Sequence, residues 1–468
     1  SNYTLDDGEF QVEVETVDNA GNKTTSTKTV YIDKTAPQLT DKILFTKEND
    51  GSFAEFLNII TFGAFFNEKV KIVVQSADTE KGSGIETIEI TSASGDVEIV
   101  KTDATEDNEK VTFTIDADQF EGAFNITLKD YLGNEYTDLI NNTNSNLADE
   151  EGSIVFDKKA PEIKATIDMP EKTTNINLHG KEYYSQDVTF KVETNDVEAG
   201  IHKVDLLING KEIQSYNYSE KTAEQIYTIN TKDLNVSNDG SYELTVVVED
   251  NAGNQSEIEK TIYIDKEAPQ LDGEPAITLS TVNDGVIGKA INFLTFGTFF
   301  NEKIKIKVHS KDNENGSGIK EVQLVGSDEG KTIERVDSDA TKETNTFIIE
   351  DSSYEGTIEV ILTDYTNHET RALVNTDNSN MASITGYVQI EDVAPVANIE
   401  IIPNKGVIAN DQSIYNGDVV FKVSAKDAES GLNKVDIKVN KHQLLKDFST
   451  NDSKLTEEQV YELKTSEI

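Results

Sequence analysis

The chain has 468 residues, and 87 acidic against 42 basic side chains give it a formal charge of −45 at pH 7. A field of that sign repels nucleic-acid backbones and anionic lipid surfaces, so neither is an expected partner, while cations and basic partners are. The absence of cysteine excludes a disulfide scaffold, a thiolate metal site and a cysteine nucleophile.

The longest strongly apolar run, Phe56 to Phe66, has 11 residues and is broken by Asn58, Thr61 and Gly63. It falls short of the ~20 needed to cross a bilayer, so no membrane span is expected. The opening residues carry no charged-then-apolar pattern, which places any export or anchoring segment outside this sequence. Apolar residues make up 36% of the chain and come in short alternating runs, the mark of folded β-structure rather than of a disordered polyacid.

Internal repeats organise the chain. DGEFQVEVETVDNAGN (7–22) returns as DGSYELTVVVEDNAGN (239–254), and YIDKTAPQL (31–39) returns as YIDKEAPQL (263–271), both shifted by 232 residues. TFGAFFNEKVKI (61–72) returns as TFGTFFNEKIKI (295–306), shifted by 234. Two unit types, A and B, therefore alternate, at the length and turn rhythm of an immunoglobulin-like sandwich.

In chain order, residues 1–33 read as the C-terminal part of a B unit, strands F and G. Phe10, Val12 and Val14 alternate toward Asp18, and Gly21 sits in a DNAGN hairpin turn. Residues 34–157 form a type A unit. Its strand B runs through Val70, Ile72, Val74 and Ser76 to Asp78, a GSGI turn leads to strand C at Ile88 and Ile90, and its strand F runs through Phe124, Ile126 and Leu128 to Asp130.

Residues 158–265 repeat the pattern as a B unit: Val188, Phe190, Val192 and Thr194 lead to Asp196, and Tyr242, Leu244, Val246 and Val248 lead to Asp250. The Asp239 to Tyr242 stretch resembles the tyrosine corner of immunoglobulin-like folds. Residues 266–392 are the second A unit, with Ile304, Ile306, Val308 and Ser310 before Asp312, and Ile358, Val360 and Leu362 before Asp364. Residues 393–468 match the N-terminal part of a B unit, where Val419, Phe421, Val423 and Ala425 lead to Asp427.

Between units stand IDKTAP, FDKKAP, IDKEAP and EDVAP. Proline fixes its own φ and holds its predecessor extended, so these segments are expected to be short, stiff connectors. The expected fold is all-β: a rod-like tandem array of immunoglobulin-like β-sandwich domains joined by DKxAP linkers. The split terminal B unit has two readings. Either the sequence is a window of two periods on a longer array, or the first segment of one copy completes the last unit of another by head-to-tail strand complementation.

The D-x-x-SGI turns, the DNAGN turns and the IDKTAP connectors together resemble the tandem bacterial immunoglobulin-like (Big-type) repeats of Gram-positive surface proteins and adhesins. The resemblance covers essentially the whole chain. It implies a secreted, wall-attached, non-enzymatic stalk at the bacterial cell surface that contributes to cell adhesion, contacts adjacent repeats of the same protein and serves a host, matrix or glycan ligand that the sequence does not name. Lys–Asn isopeptide cross-links, known in such proteins, remain open for lysines such as Lys69 and Lys71. Other roles for the chain are a glycan- or protein-binding module, or an accessory region of a secreted carbohydrate-active enzyme.

The placement of aspartates carries the most chemistry. Asp78 and Asp130 continue the inward phase of strands B and F, and those strands end at the pole where the linker brings Asp33. Converging carboxylates repel unless protonated, hydrated or bridged by a cation, and hard oxygen ligands drawn from several loops suit Ca2+. The triple recurs as Asp157, Asp196, Asp250 and as Asp265, Asp312, Asp364, while a fourth set has Asp392 and Asp427 with its strand-F member represented by Asp18. Each Asp also suits a simpler role, capping its own turn.

The TFGxFFNEK stretch, with Phe56, Leu57, Ile59 and Ile60 before it, is expected to be a short helical or looped insert packed on the sandwich, the other reading being an exposed docking patch. Catalysis is not expected. His179, His202, His309, His368 and His442 are scattered, and no HExxH, GxSxG, Walker loop or GxGxxG occurs.

Overall fold

Residues of alternating polarity bury one face of a strand and leave the other in water, and the stretches that alternate in sequence are extended here. A computed structural model describes residues 4–47, 59–60, 63–92, 97, 99–102, 109–234, 239–282, 292–294, 297–337, 339–403, 405–409, 411–439, 442–446 and 455–467. The expected B strands are Val70–Ala77, Thr189–Asn195, Ile304–Lys311 and Val419–Lys426. The expected F strands are Gly8–Val17, Phe124–Asp130, Gly240–Asp250 and Glu355–Asp364. The chain is a set of Ig-like β-sandwiches in tandem.

The chain divides into two compact units. The first comprises Ser1–Met169, Val188–Leu234 and Tyr242–Thr261. It opens with the antiparallel hairpin Gly8–Val17 and Lys23–Ile32. A sandwich follows, with Val70–Ala77 central in one sheet, paired with Lys110–Ile115 on one side and with Gln38–Leu39 and Leu44–Lys47 on the other. The second sheet orders Glu135–Leu139, Phe124–Asp130 and Ile85–Ser92. Ile72, Val74 and Phe113 from the first sheet and Ile88, Ile126 and Leu128 from the second pack in one core, so strands B and F lie in opposite sheets. Farther along, Thr189–Asn195 is flanked by Glu162–Asp168 and Glu224–Asn230, and Ile201–Ile208 pairs with Lys211–Thr222 and with Gly240–Asp250.

The second unit comprises Pro170–Asp187, Asn235–Ser241 and Ile262–Ile468. It holds the hairpin Asn175–Leu178 and Lys181–Tyr184. Its sandwich again centres Ile304–Lys311 in one sheet and Glu355–Asp364 in the other, around a core that includes Ile306, Val308, Val360 and Leu362. The last sheet orders Val396–Pro403, Val419–Lys426 and Gln459–Lys464.

The TFGxFFNEK stretch departs from expectation. Gly63–Phe66 is a strand, neither helix nor loop, and it pairs in parallel with Ile154–Asp157. Successive side chains of a strand point to opposite faces, and here both faces are covered. Phe66 enters the sandwich core beside Phe156, with ring centroids 5.5 Å apart. Phe65 points the other way and packs with Val155, Ala199 and Ala252. Both rings are 1% exposed, which removes them as a docking patch. Phe56 and Leu57 lie outside the described residues.

Candidate metal centres

Each B strand ends at an aspartate whose carboxylate folds back over the following turn. Asp78 accepts from the N–H of Thr79 at 2.8 Å and of Gly84 at 2.7 Å. Asp196 accepts from Gly200 at 2.6 Å, Asp312 from Asn313 at 3.0 Å and Gly318 at 2.6 Å, and Asp427 from Gly431 at 2.8 Å. A Cβ on Gly82 or Gly316 would collide with the carboxylate of Asp78 or Asp312 respectively, which is why the GSG turn accepts no larger residue at those positions.

The F strands end in the same way. Asp130 takes the N–H groups of Leu132 and Asn134 at 2.8 and 2.9 Å and the Asn134 amide at 2.6 Å. Asp250 takes the N–H and the amide of Asn254 at 2.8 and 2.7 Å. Gly253 holds φ at 90°, the left-handed conformation that closes this hairpin, and Asn367 stands there in the second A unit at 70°.

The linker aspartate completes each pole. Asp33 accepts from the N–H of Ser83 at 2.7 Å, Asp157 from Ala199 at 3.0 Å and Asp265 from Ser317 at 2.8 Å. The Asn254 amide also reaches the Asp157 carbonyl at 2.8 Å. The linker is gripped from its other side as well, since the N–H of Lys34 donates to Asp7 at 2.7 Å and that of Lys266 to Asp239 at 2.6 Å. Strand phase does not point to Asp7 or Asp239 as linker contacts; their shared DG corner, 232 residues apart in the two B segments, is the sequence signal that marks them.

Three groups of candidate ligand atoms converge to within 4.8 Å: Asp33, Asp78 and Asp130; Asp157, Asp196 and Asp250; and Asp265, Asp364 and His368. The first two are the sequence-expected triples. In the third, His368 stands where the other turns carry Asn, and Asp312, which caps its loop just as Asp78 does, is not in the group. The fourth set is not among the groups gathered from the described residues. Asp392 and Asp427 line a cleft of about 500 Å3 with Val393, Pro395 and Ser430, whereas Asp18, on the exposed hairpin, caps its own turn through Ala20 and Asn22 at 2.8 and 2.9 Å.

Burial and mutual repulsion set the electrostatics. Asp250 is pushed up to about 7 by burial and by the charges of Asp196 and Asp157, against the bonds from Asn254. Asp312 is pushed up to about 6 by burial and by Asp265 and Asp364. Asp196 is raised by burial and by Asp157, and Asp364 by burial and by Asp265. At Asp130 burial works upward, but the Asn134, Leu132 and Gly133 bonds outweigh it and hold the group low. Carboxylates with raised pKa values gathered at one point favour either a proton or a cation.

Capping and cation binding are compatible here, because each capping carboxylate oxygen has a second lone pair. All three members of the second group are buried, and the donor set is hard oxygen throughout, which fits Ca2+ better than a softer ion.

Sandwiches of this kind, repeated along one chain with paired loops at their poles, define a tandem immunoglobulin-like array. Residues 5–34 and 160–266 match the family model of the bacterial Ig-like domain. Similar solved structures include the fibronectin(III)-like modules of CbhA from Clostridium thermocellum, at 15% identity over 47% of this chain and 92% of that one with a TM-score of 0.22. Another is a tetra-tandem repeat from the extending region of a large adhesion protein, at 15% identity over 79% of this chain and 82% of that one, TM-score 0.30. The extracellular domain of protocadherin gamma B4 is similar at 10% identity over 90% and 68%, TM-score 0.27. No curated protein matches the chain. No helix among the described residues is long and apolar enough to cross a membrane.

Proposed function

We propose that this chain is a non-enzymatic spacer of an extracellular bacterial surface protein, contributing to adhesion by holding a binding region away from the cell, and that Ca2+ bound at the carboxylate poles stiffens its joints. The observation that carries the reading is the threefold recurrence of one arrangement, in which a linker aspartate is bonded to the B–C loop and stands within ligand distance of an F-strand aspartate. A connector held by the segments before and after it transmits orientation, and a cation that neutralises the pole removes the repulsion opposing that hold. Asp33, Asp78 and Asp130 would hold one ion, and Asp157, Asp196 and Asp250 a second.

Thermal unfolding with Ca2+ and with excess chelator tests this, because a ligand that binds only the folded state raises its stability by mass action. Ca2+ is expected to raise the melting temperature, and Asp78→Ala with Asp130→Ala to remove the part of that rise due to the first pole. Identical curves with and without chelator would leave the aspartates as turn caps.

A further inference from the structure

The third pole is chemically unlike the other two. Its F–G turn reads DYTNH where the earlier turns read DYLGN and DNAGN, so Thr366 and His368 replace an aliphatic residue and an asparagine. In the earlier turns the Asn amide donates to the F-strand carboxylate, at 2.6 Å in Asp130 and 2.7 Å in Asp250. At the third, Asp364 Oδ2 is instead 3.3 Å from His368 Nδ1.

The remaining atoms leave acceptors in excess. Thr366 Oγ1 lies 2.9 Å from Asp364 Oδ1, 3.2 Å from Asp265 Oδ2 and 2.9 Å from His368 Nδ1. One hydroxyl proton satisfies one of them, and a proton on His368 Nδ1 would still leave Asp265 Oδ1 without a donor. Asp265 Oδ1 and Asp364 Oδ2 have no hydrogen-bond partner although both residues are 0% exposed, and the buried Ser317 hydroxyl is likewise without one. Burying unpaired carboxylate oxygens is costly, and an ion among them removes the cost. Imidazole nitrogen is a poor ligand for Ca2+ and a good one for Zn2+ and its neighbours. Two ligands of a tetrahedral ion at about 2.0–2.1 Å lie about 3.3 Å apart, the spacing of His368 Nδ1 and Asp364 Oδ2. The His368 side chain is 28% exposed, which leaves the site a route to solvent.

We propose that Asp265, Asp364 and His368 form a mixed nitrogen and oxygen site for a transition-metal ion of the Zn2+ type, with Thr366 and Ser317 as the hydroxyls around it. This site stands independently of the Ca2+ reading of the first two poles.

The test is calorimetric titration of the metal-stripped full chain with Zn2+ and, separately, with Ca2+, with Co2+ absorption as a probe of nitrogen ligation. The key variant is His368→Asn, which restores the residue found at the same turn position in the other repeats and should fold; circular dichroism and a His368→Gln variant check that. One Zn2+ per chain is expected to bind at least tenfold tighter than Ca2+, with a Co2+ visible band of low-coordinate intensity. His368→Asn should weaken Zn2+ at least tenfold and abolish the band while leaving the Ca2+-dependent rise in melting temperature intact. Zn2+ affinity and stoichiometry unchanged in both variants, or no Zn2+ site tighter than the Ca2+ sites, would overturn the proposal. Loss of the Ca2+ response in the wild type alone would overturn the spacer's Ca2+ reading and leave this one standing.

Discussion

Asp157 Oδ2 accepts a hydrogen bond from the N–H of Ala199 at 3.0 Å, and Ala199 is 0% exposed. A buried amide donor deprived of its acceptor costs about 1–3 kcal/mol. Asp157→Ala should therefore destabilise the chain by about that amount in urea unfolding. Asp157→Asn keeps one acceptor oxygen for Ala199 and removes one of three neighbouring charges, but it turns its NH2 toward the N–H of Lys159, which Asp157 Oδ1 accepts at 2.8 Å, so without Ca2+ it should cost less than Asp157→Ala. A loss equal to that of Asp157→Ala would show that the charge, not the hydrogen bond, is what the site needs.

The raised pKa of Asp250 gives a pH dependence of definite sign. Its value rises from 3.8 unfolded to about 7 folded, so the folded state favours the protonated form. That contribution is fully present below pH 4 and is lost as pH rises toward 7, at up to about 1.4 kcal/mol per unit. In chelator, wild type should lose stability between pH 5 and 7 relative to Asp250→Asn, which carries no titrating group there. Ca2+ should flatten the difference by stabilising the ionised carboxylate. Parallel pH profiles of the two proteins in chelator would refute the assignment.

Much of this was legible in the sequence, because period-two alternation ending in Asp recurs at fixed offsets, and each such run is a strand whose phase fixes which carboxylates point into the pole. The Asp33 and Asp157 poles follow from that phase. The third does not, since His368 joins Asp265 and Asp364 from the F–G turn, beyond the strand whose phase the sequence shows. The strand Gly63–Phe66 was hidden for another reason. With both faces buried it shows no alternation, and a short apolar run buried on both sides is indistinguishable by period from a helix or a packed loop. Its parallel partner, Ile154–Asp157, is about ninety residues away in sequence.

The repeats also permit a comparison in which chemistry is nearly fixed and burial varies. Val12 and Leu244 occupy matching positions in DGEFQVEV and DGSYELTV, yet Val12 is 49% exposed and Leu244 is 0%. Leu244→Ala should cost about 2–5 kcal/mol through lost burial and the cavity left behind. Val12→Ala should stay within about 0.5 kcal/mol. Denaturant midpoints of the two variants check this, and a comparable loss from Val12→Ala would mean that in solution the hairpin face is covered.

Phe65 and Phe66 are neighbours in sequence with separate tasks. Phe66 fills the core around Phe156, while Phe65 lies against Ala199 and Ala252, which belong to the two turns that carry Asp196 and Asp250. The apolar contact therefore sits beside the second carboxylate pole and joins the sandwich containing Val70–Ala77 to those turns. Phe66→Ala should lower the stability of that sandwich by about 3–5 kcal/mol and speed amide exchange along Val70–Ala77. Phe65→Ala should leave those amides protected and speed exchange at residues 196–201 and 250–254, because local opening follows the loss of local contacts. Hydrogen exchange read by mass spectrometry on the two variants distinguishes the roles. If Phe65→Ala opened Val70–Ala77 as much as Phe66→Ala does, Phe65 would be a second core residue of its own sandwich rather than the seal against the turns.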